Sequence, residues 1–130
     1  MNPENAIRVL IVEDDVLVSE MIQGVLSELG YIVAGLAANG HEALELVRTL
    51  HPDVVLMDIS MPEMDGIAAA QAIQDDCPTP VVVLTAYESP DLVAQASEAG
   101  VGAYLIKPPD VREVARAITV ARARFQDMIT

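Results

Sequence analysis

Four polar residues in this chain each close a short apolar run: Asp14, Asp58, Thr85 and Lys107. Ile7–Val12 leads into Glu13-Asp14-Asp15, Val54–Met57 into Asp58, Val81–Leu84 into Thr85, and Ala103–Ile106 into Lys107. Runs of this kind read as buried strands, and in a parallel sheet their ends share one edge. Two or three carboxylates, a hydroxyl and an ammonium would then meet in one cleft. Carboxylates packed together repel and push one another towards the neutral form unless a cation joins them. An all-oxygen set with few protein ligands favours Mg²⁺ over Ca²⁺, and there is no Cys/His cluster for zinc. Beside such an ion a carboxylate can attack phosphorus, with lysine and hydroxyl holding the phosphoryl oxygens. Asp58, at the central run, is the expected nucleophile. Lys107 is the only lysine in the chain and the expected counter-charge.

The elements needed to position these groups are legible. Helical patterns fill the gaps between the strands, and a further strand is expected at Ile32–Leu36. Helix one is expected from about Val16 to Leu29, with Val18, Met21, Ile22, Val25, Leu26 and Leu29 as its apolar stripe and Gly30 just past its end. Asn39 and Glu42 suit a capping-box start for helix two, which buries Ala43, Leu44 and Val47 and stops at His51-Pro52. Ser60–Gly66 reads as a loop, and helix three as a short alanine-rich segment from Ile67 to Gln74. Ser89-Pro90 opens helix four and Gly100 closes it. Asp110 and Glu113 cap helix five, whose buried side carries Val114, Ile118, Ala121 and Phe125. Five alternations of strand and helix predict an α/β, flavodoxin-like doubly wound (βα)5 fold, its parallel sheet in the order 2-1-3-4-5. The switch point of that sheet lies between strands one and three, which end at Asp14 and Asp58.

Composition narrows the function classes. One domain is expected over residues 1–130. The chain is 52% hydrophobic but only 3% aromatic, so its core must be aliphatic. Its net charge of −13 opposes binding to nucleic acid or to an anionic membrane surface. A single cysteine, Cys77, excludes an internal disulfide and fits the reducing cytoplasm. No signal peptide or membrane-spanning run is evident. His41 and His51 read as surface residues, Met57, Met61 and Met64 as packing, and Asp15 as a helix cap.

Taken together, the motifs resemble the receiver domain of two-component response regulators, a CheY-like superfamily, over essentially the whole chain. Val12-Glu13-Asp14-Asp15 is similar to that family's acidic run, Met57–Gly66 to its phosphoacceptor segment, Leu84-Thr85-Ala86 to its switch hydroxyl and Lys107-Pro108 to its lysine–proline signature. The resemblance implies that Asp58 accepts a phosphoryl group from a sensor histidine kinase or a phosphotransfer protein in a phosphorelay. It implies Mg²⁺, with Mn²⁺ as a substitute, held by Asp14, Asp58, the Ser60 carbonyl and, through water, Glu13. Thr85, Ala86 and Lys107 would hold the phosphoryl oxygens, and Tyr104 would swing inward when Thr85 moves. Pro108 would follow a cis bond, and Ser60 and Tyr87 would tune self-dephosphorylation. The same resemblance implies a phosphoacceptor with slow self-dephosphorylation rather than an enzyme. Its output surface would be helix 4, strand 5 and helix 5, facing a downstream effector or a second copy in a homodimer.

The chain departs from the family pattern in two places. Glu stands at position 13, and Pro109 replaces the usual apolar residue and removes a backbone donor. No output domain is expected in this chain. Its Ala-Arg-Ala-Arg-Phe ending is similar to that of receivers preceding an RNA-binding antiterminator module. Arg112, Arg116, Arg122 and Arg124 make helix five cationic, for a twin subunit's acids or for solvent. The rival readings are a haloacid-dehalogenase-type phosphohydrolase, whose nucleophile would end strand one, an interaction-only pseudo-receiver, and a flavodoxin-like cofactor binder.

Overall fold

A computed structural model describes residues 6–59, 66–86 and 90–129. Five strands alternate with five helices: β1 Arg8–Val12, α1 Val16–Glu28, β2 Ile32–Ala37, α2 Gly40–Leu50, β3 Val54–Asp58, α3 Gly66–Asp76, β4 Val81–Thr85, α4 Pro90–Glu98, β5 Ala103–Ile106 and α5 Val111–Ile129. All strand pairs are parallel, and the sheet order is β2-β1-β3-β4-β5, as expected.

The unbroken apolar runs follow from burial on both faces of the sheet. Alternate side chains of one strand enter different cores. Val9, Ile11, Val54, Leu56, Val82 and Leu84 pack with Ile22 and Leu26 of α1 and Val114, Ile118 and Ala121 of α5. Leu10, Val12, Val55, Met57, Val81 and Val83 pack with Ala43 and Val47 of α2 and Ala69, Ala70 and Ile73 of α3. At the β2 edge the register skips: Val9 pairs with Val33 and Leu10 with Gly35, leaving Ala34 as an extra residue. Ile32 and Leu36 on that edge strand are exposed.

Side-chain caps fix where helices start. Asp15 accepts from Leu17 N and Val18 N at α1. Asn39 accepts from Glu42 N at α2, and Glu42 reaches back to Ala38 N. Asp110 and Glu113 exchange reciprocal bonds at α5. These satisfy amide donors that a helix start otherwise leaves open. After α4 the chain turns at Gly100, with φ of 87° and no room for a Cβ, which would sit 2.8 Å from Gln74 Cγ.

Several boundaries differ from the sequence expectation. β1 starts at Arg8, one residue late, and β2 runs one residue longer, to Ala37. β3 and β4 include Asp58 and Thr85 as their last residues. Helix α1 stops at Glu28, with Leu29 as its cap. Helix α3 starts at Gly66 and runs on past Gln74 to Asp76, because its polar end is anchored: Asp76 pairs with Arg48 on α2 and Cys77 N donates to Ile73 O. Met21 is exposed rather than part of the α1 stripe, and Phe125 is only half-buried. Ser89, the expected cap of α4, lies outside the described residues. No described helix is long and apolar enough to cross a membrane.

Candidate functional site

The C-terminal edge of the sheet collects the expected groups. β1 delivers Glu13, whose amide continues the ladder by donating to Ala37 O, followed by exposed Asp14. β3 ends on Asp58, opposite Leu84 of β4, and the next amide, Ile59 N, donates to Leu84 O. β4 ends on Thr85, opposite Ile106, and the Thr85 carbonyl accepts from Lys107 N at 2.8 Å. Strand register thus fixes the backbone from which each side chain departs. The Lys107–Pro108 bond is cis, as expected.

Glu13, Asp58 and Thr85 are buried, at 6%, 2% and 4% exposure. Lys107 Nζ lies 2.8 Å from Glu13 Oε1 and 2.9 Å from Asp58 Oδ2, bridging two buried carboxylates. Glu13 Oε2 in turn accepts from Asp14 N at 3.1 Å. Burial, reinforced by a hydrogen bond to Asp58, pushes the Glu13 carboxyl up to about 7 against the lowering pull of Lys107. Burial acts to lower the Lys107 ammonium, but its hydrogen bonds to Glu13 and Asp58 outweigh this and hold it above the ordinary lysine value. Lys107 therefore stays charged.

One carboxylate oxygen from each of Glu13, Asp14 and Asp58 falls within 4.8 Å of the others. This donor set suits a hard divalent ion. It is all oxygen, and exposed Asp14 leaves room for water ligands, which Mg²⁺ retains.

Of the expected site residues, the structure brings together Glu13, Asp14, Asp58 and Lys107. Thr85 ends the neighbouring strand, followed by exposed Ala86. Tyr104 points outward from β5 and is 38% exposed. Ser60 and Tyr87 lie outside the described residues, as do Met61, Met64 and Asp65. Sequence reasoning did not anticipate the Glu13–Lys107 ion pair. Its partners stand 94 residues apart, so the only available signal was that both follow strands of one sheet edge.

The model of the response regulator receiver domain matches residues 9–119. The chain is 44% identical over 121 residues to the transcriptional regulatory protein PdtaR of Mycobacterium tuberculosis, covering 93% of this chain and 59% of that protein. It is 39% identical over 112 residues to the chemotaxis protein CheY of Thermotoga maritima, covering 85% of this chain and 93% of that one. Among solved structures, the receiver domain of the putative response regulator NarL from Mycobacterium tuberculosis superposes with a TM-score of 0.84 at 34% identity, covering 91% of this chain and 97% of that domain. The response regulator domain of Thermotoga maritima CheB gives a TM-score of 0.83 at 29% identity, covering 92% and 98%.

Proposed function

We propose, given that the chain belongs to the response regulator receiver domain family, that it works as a phosphorylation switch with Asp58 as its phosphoacceptor. The observation that carries this reading is the contact of Lys107 Nζ with Asp58 Oδ2 at 2.9 Å, inside a cluster completed by Glu13 and Asp14. The donor would be a phosphohistidine on a sensor kinase or phosphotransfer protein. An Asp58 carboxylate oxygen attacks phosphorus, the P–N bond breaks, and its electron pair returns to the imidazole. The product is an acyl phosphate on Asp58.

Asp14, Asp58, Glu13 through a water and the Ser60 carbonyl would hold a divalent ion, Mg²⁺ or Mn²⁺. That ion, when bound, supplies positive charge against the phosphoryl oxygens. Lys107, Thr85 and the Ala86 amide hold those oxygens from the other side. A new phosphoryl group adds roughly −1.5 to −2 charge units. Thr85 is drawn towards it, and Tyr104 turns inward from β5 into the space released. The face formed by α4, β5 and α5 then changes shape for an effector or a second copy. Phosphate is lost again by slow self-hydrolysis, tuned from Ser60 and Tyr87. A reducing cytoplasm is the compartment that fits.

Intact-protein mass after acetyl phosphate and Mg²⁺ tests the reading. One added phosphoryl group is expected, absent from Asp58→Ala and absent with EDTA. Steady phosphate release without an adduct would favour a hydrolase, and neither adduct nor release would leave an interaction-only domain.

A further inference from the structure

Glu13 occupies an unexpected position for a residue that should help to hold a cation. Both of its oxygens are already engaged, Oε1 by Lys107 Nζ at 2.8 Å and Oε2 by the Asp14 amide at 3.1 Å. Its side chain is fully buried, so these bonds lie out of competition with bulk water. Lys107 spans the gap from Glu13 to Asp58 and puts its positive charge among the carboxylates that a divalent ion would need.

We propose that Glu13 is a positioning residue for Lys107: its reach across the sheet edge latches the ammonium onto Asp58 and makes entry of a divalent cation depend on release of that latch. This rests on the reading of Glu13, Asp14 and Asp58 as the cation site. The length of the side chain matters. Glutamate at this position reaches Lys107, whereas aspartate keeps the charge but is one methylene shorter and cannot close the same 2.8 Å contact from the same backbone. Lys107 and the cation are both positive and draw on the same carboxylates. Each therefore weakens the other's hold, as linked ligands must. The latch keeps the metal-free site paired, which avoids leaving buried carboxylates uncompensated. It also keeps Lys107 beside Asp58, where it will be needed.

Calorimetric Mg²⁺ titration of the full chain as wild type, Glu13→Asp, Lys107→Met and the double variant tests the proposal. Glu13→Asp is expected to bind Mg²⁺ at least about tenfold more tightly, the net worth of one charge-assisted hydrogen bond. That gain should vanish when Lys107 is already methionine. An equal gain in both backgrounds would mean that aspartate simply suits the ion better, and would overturn the latch. Unchanged or weaker binding by Glu13→Asp would do the same.

The single lysine gives an independent readout. In protein labelled with ¹⁵N-lysine, the lone side-chain ammonium signal should be held in slow exchange without metal in wild type and shift on adding Mg²⁺. In Glu13→Asp it should already be shifted without metal. A Lys107 signal indifferent to Glu13→Asp would overturn the proposal even if every variant folds. Loss of Mg²⁺ binding from all four proteins would instead overturn the cation site itself, whatever the lysine signal shows.

Discussion

The two ends of the sheet's functional edge are built differently. β3 and β4 are buried at every residue, and Asp58 and Thr85 sit at their tips. On β5 only Leu105 is buried, and Tyr104 beside it stands largely in the open. The flanking helices follow suit: α1 buries Ser19, Ile22 and Leu26 on the side that carries the acidic cluster, whereas α4 buries only Ala96 along nine residues. Chemistry that needs carboxylates and an ammonium within a few tenths of an ångström sits where side chains are expensive to move. The face expected to change shape is drawn from elements that bury little and reorganise at low cost.

The largest effect should come from the strand that carries Asp58. Leu56 is fully buried, and Leu56→Ala should cost about 2–5 kcal/mol. A urea unfolding series checks this, with midpoint falling and slope unchanged. A loss below about 1 kcal/mol would mean that this side of the sheet is no more tightly built than the other. Within β5 the contrast should repeat between neighbours. Leu105→Ala should cost roughly 2–3 kcal/mol, and Tyr104→Ala less than about 1 kcal/mol, since Leu105 is 7% exposed and Tyr104 38%. The same melts decide it, and equal losses would show that Tyr104 is already packed as core.

The smallest effect concerns the exposed Arg48–Asp76 pair between α2 and α3, remote from both faces of the comparison. Its hydrogen bond to Arg48 holds Asp76 below the usual aspartate range. As pH falls the unfolded chain takes up this proton first. The pair's stabilisation is therefore present above the unfolded-state value and is lost as pH falls through the lower folded one. Both side chains are exposed and screened, so Asp76→Asn should lower the melting temperature only slightly at neutral pH and not at all in acid. A difference that grows in acid would contradict the sign.

The fold and most of the site were legible because each rests on a local signal. Buried parallel strands announce themselves as continuous apolar runs, and Asp15, Asn39 and Asp110 mark helix starts by chemistry within a few residues. The sheet order followed from crossover handedness, and it placed Asp14, Asp58 and Lys107 on one edge before any distance was known. What escaped was decided across the fold. Asp75-Asp76 looks like a helix stop until Arg48 on a different helix accounts for it. Met21 fits the apolar periodicity of α1, yet its angular position leaves it outside the buried arc of Ile22 and Leu26. The hold of Glu13 on Lys107 depends on a rotamer and a side-chain length, which strand periodicity does not encode.

The extra residue at Ala34 has a further consequence, for how copies of the protein behave at high concentration. β2 ends the sheet and carries exposed Ile32 and Leu36, the kind of open margin onto which a foreign strand can add. A one-residue bulge there breaks the even repeat of donors and acceptors that such an addition needs, and bends the strand away from a flat template. The net charge of −13 keeps neighbouring molecules apart as well. Resistance to aggregation is thus shared between a backbone irregularity that works at any pH and a charge that fades towards the isoelectric point of about 4.2.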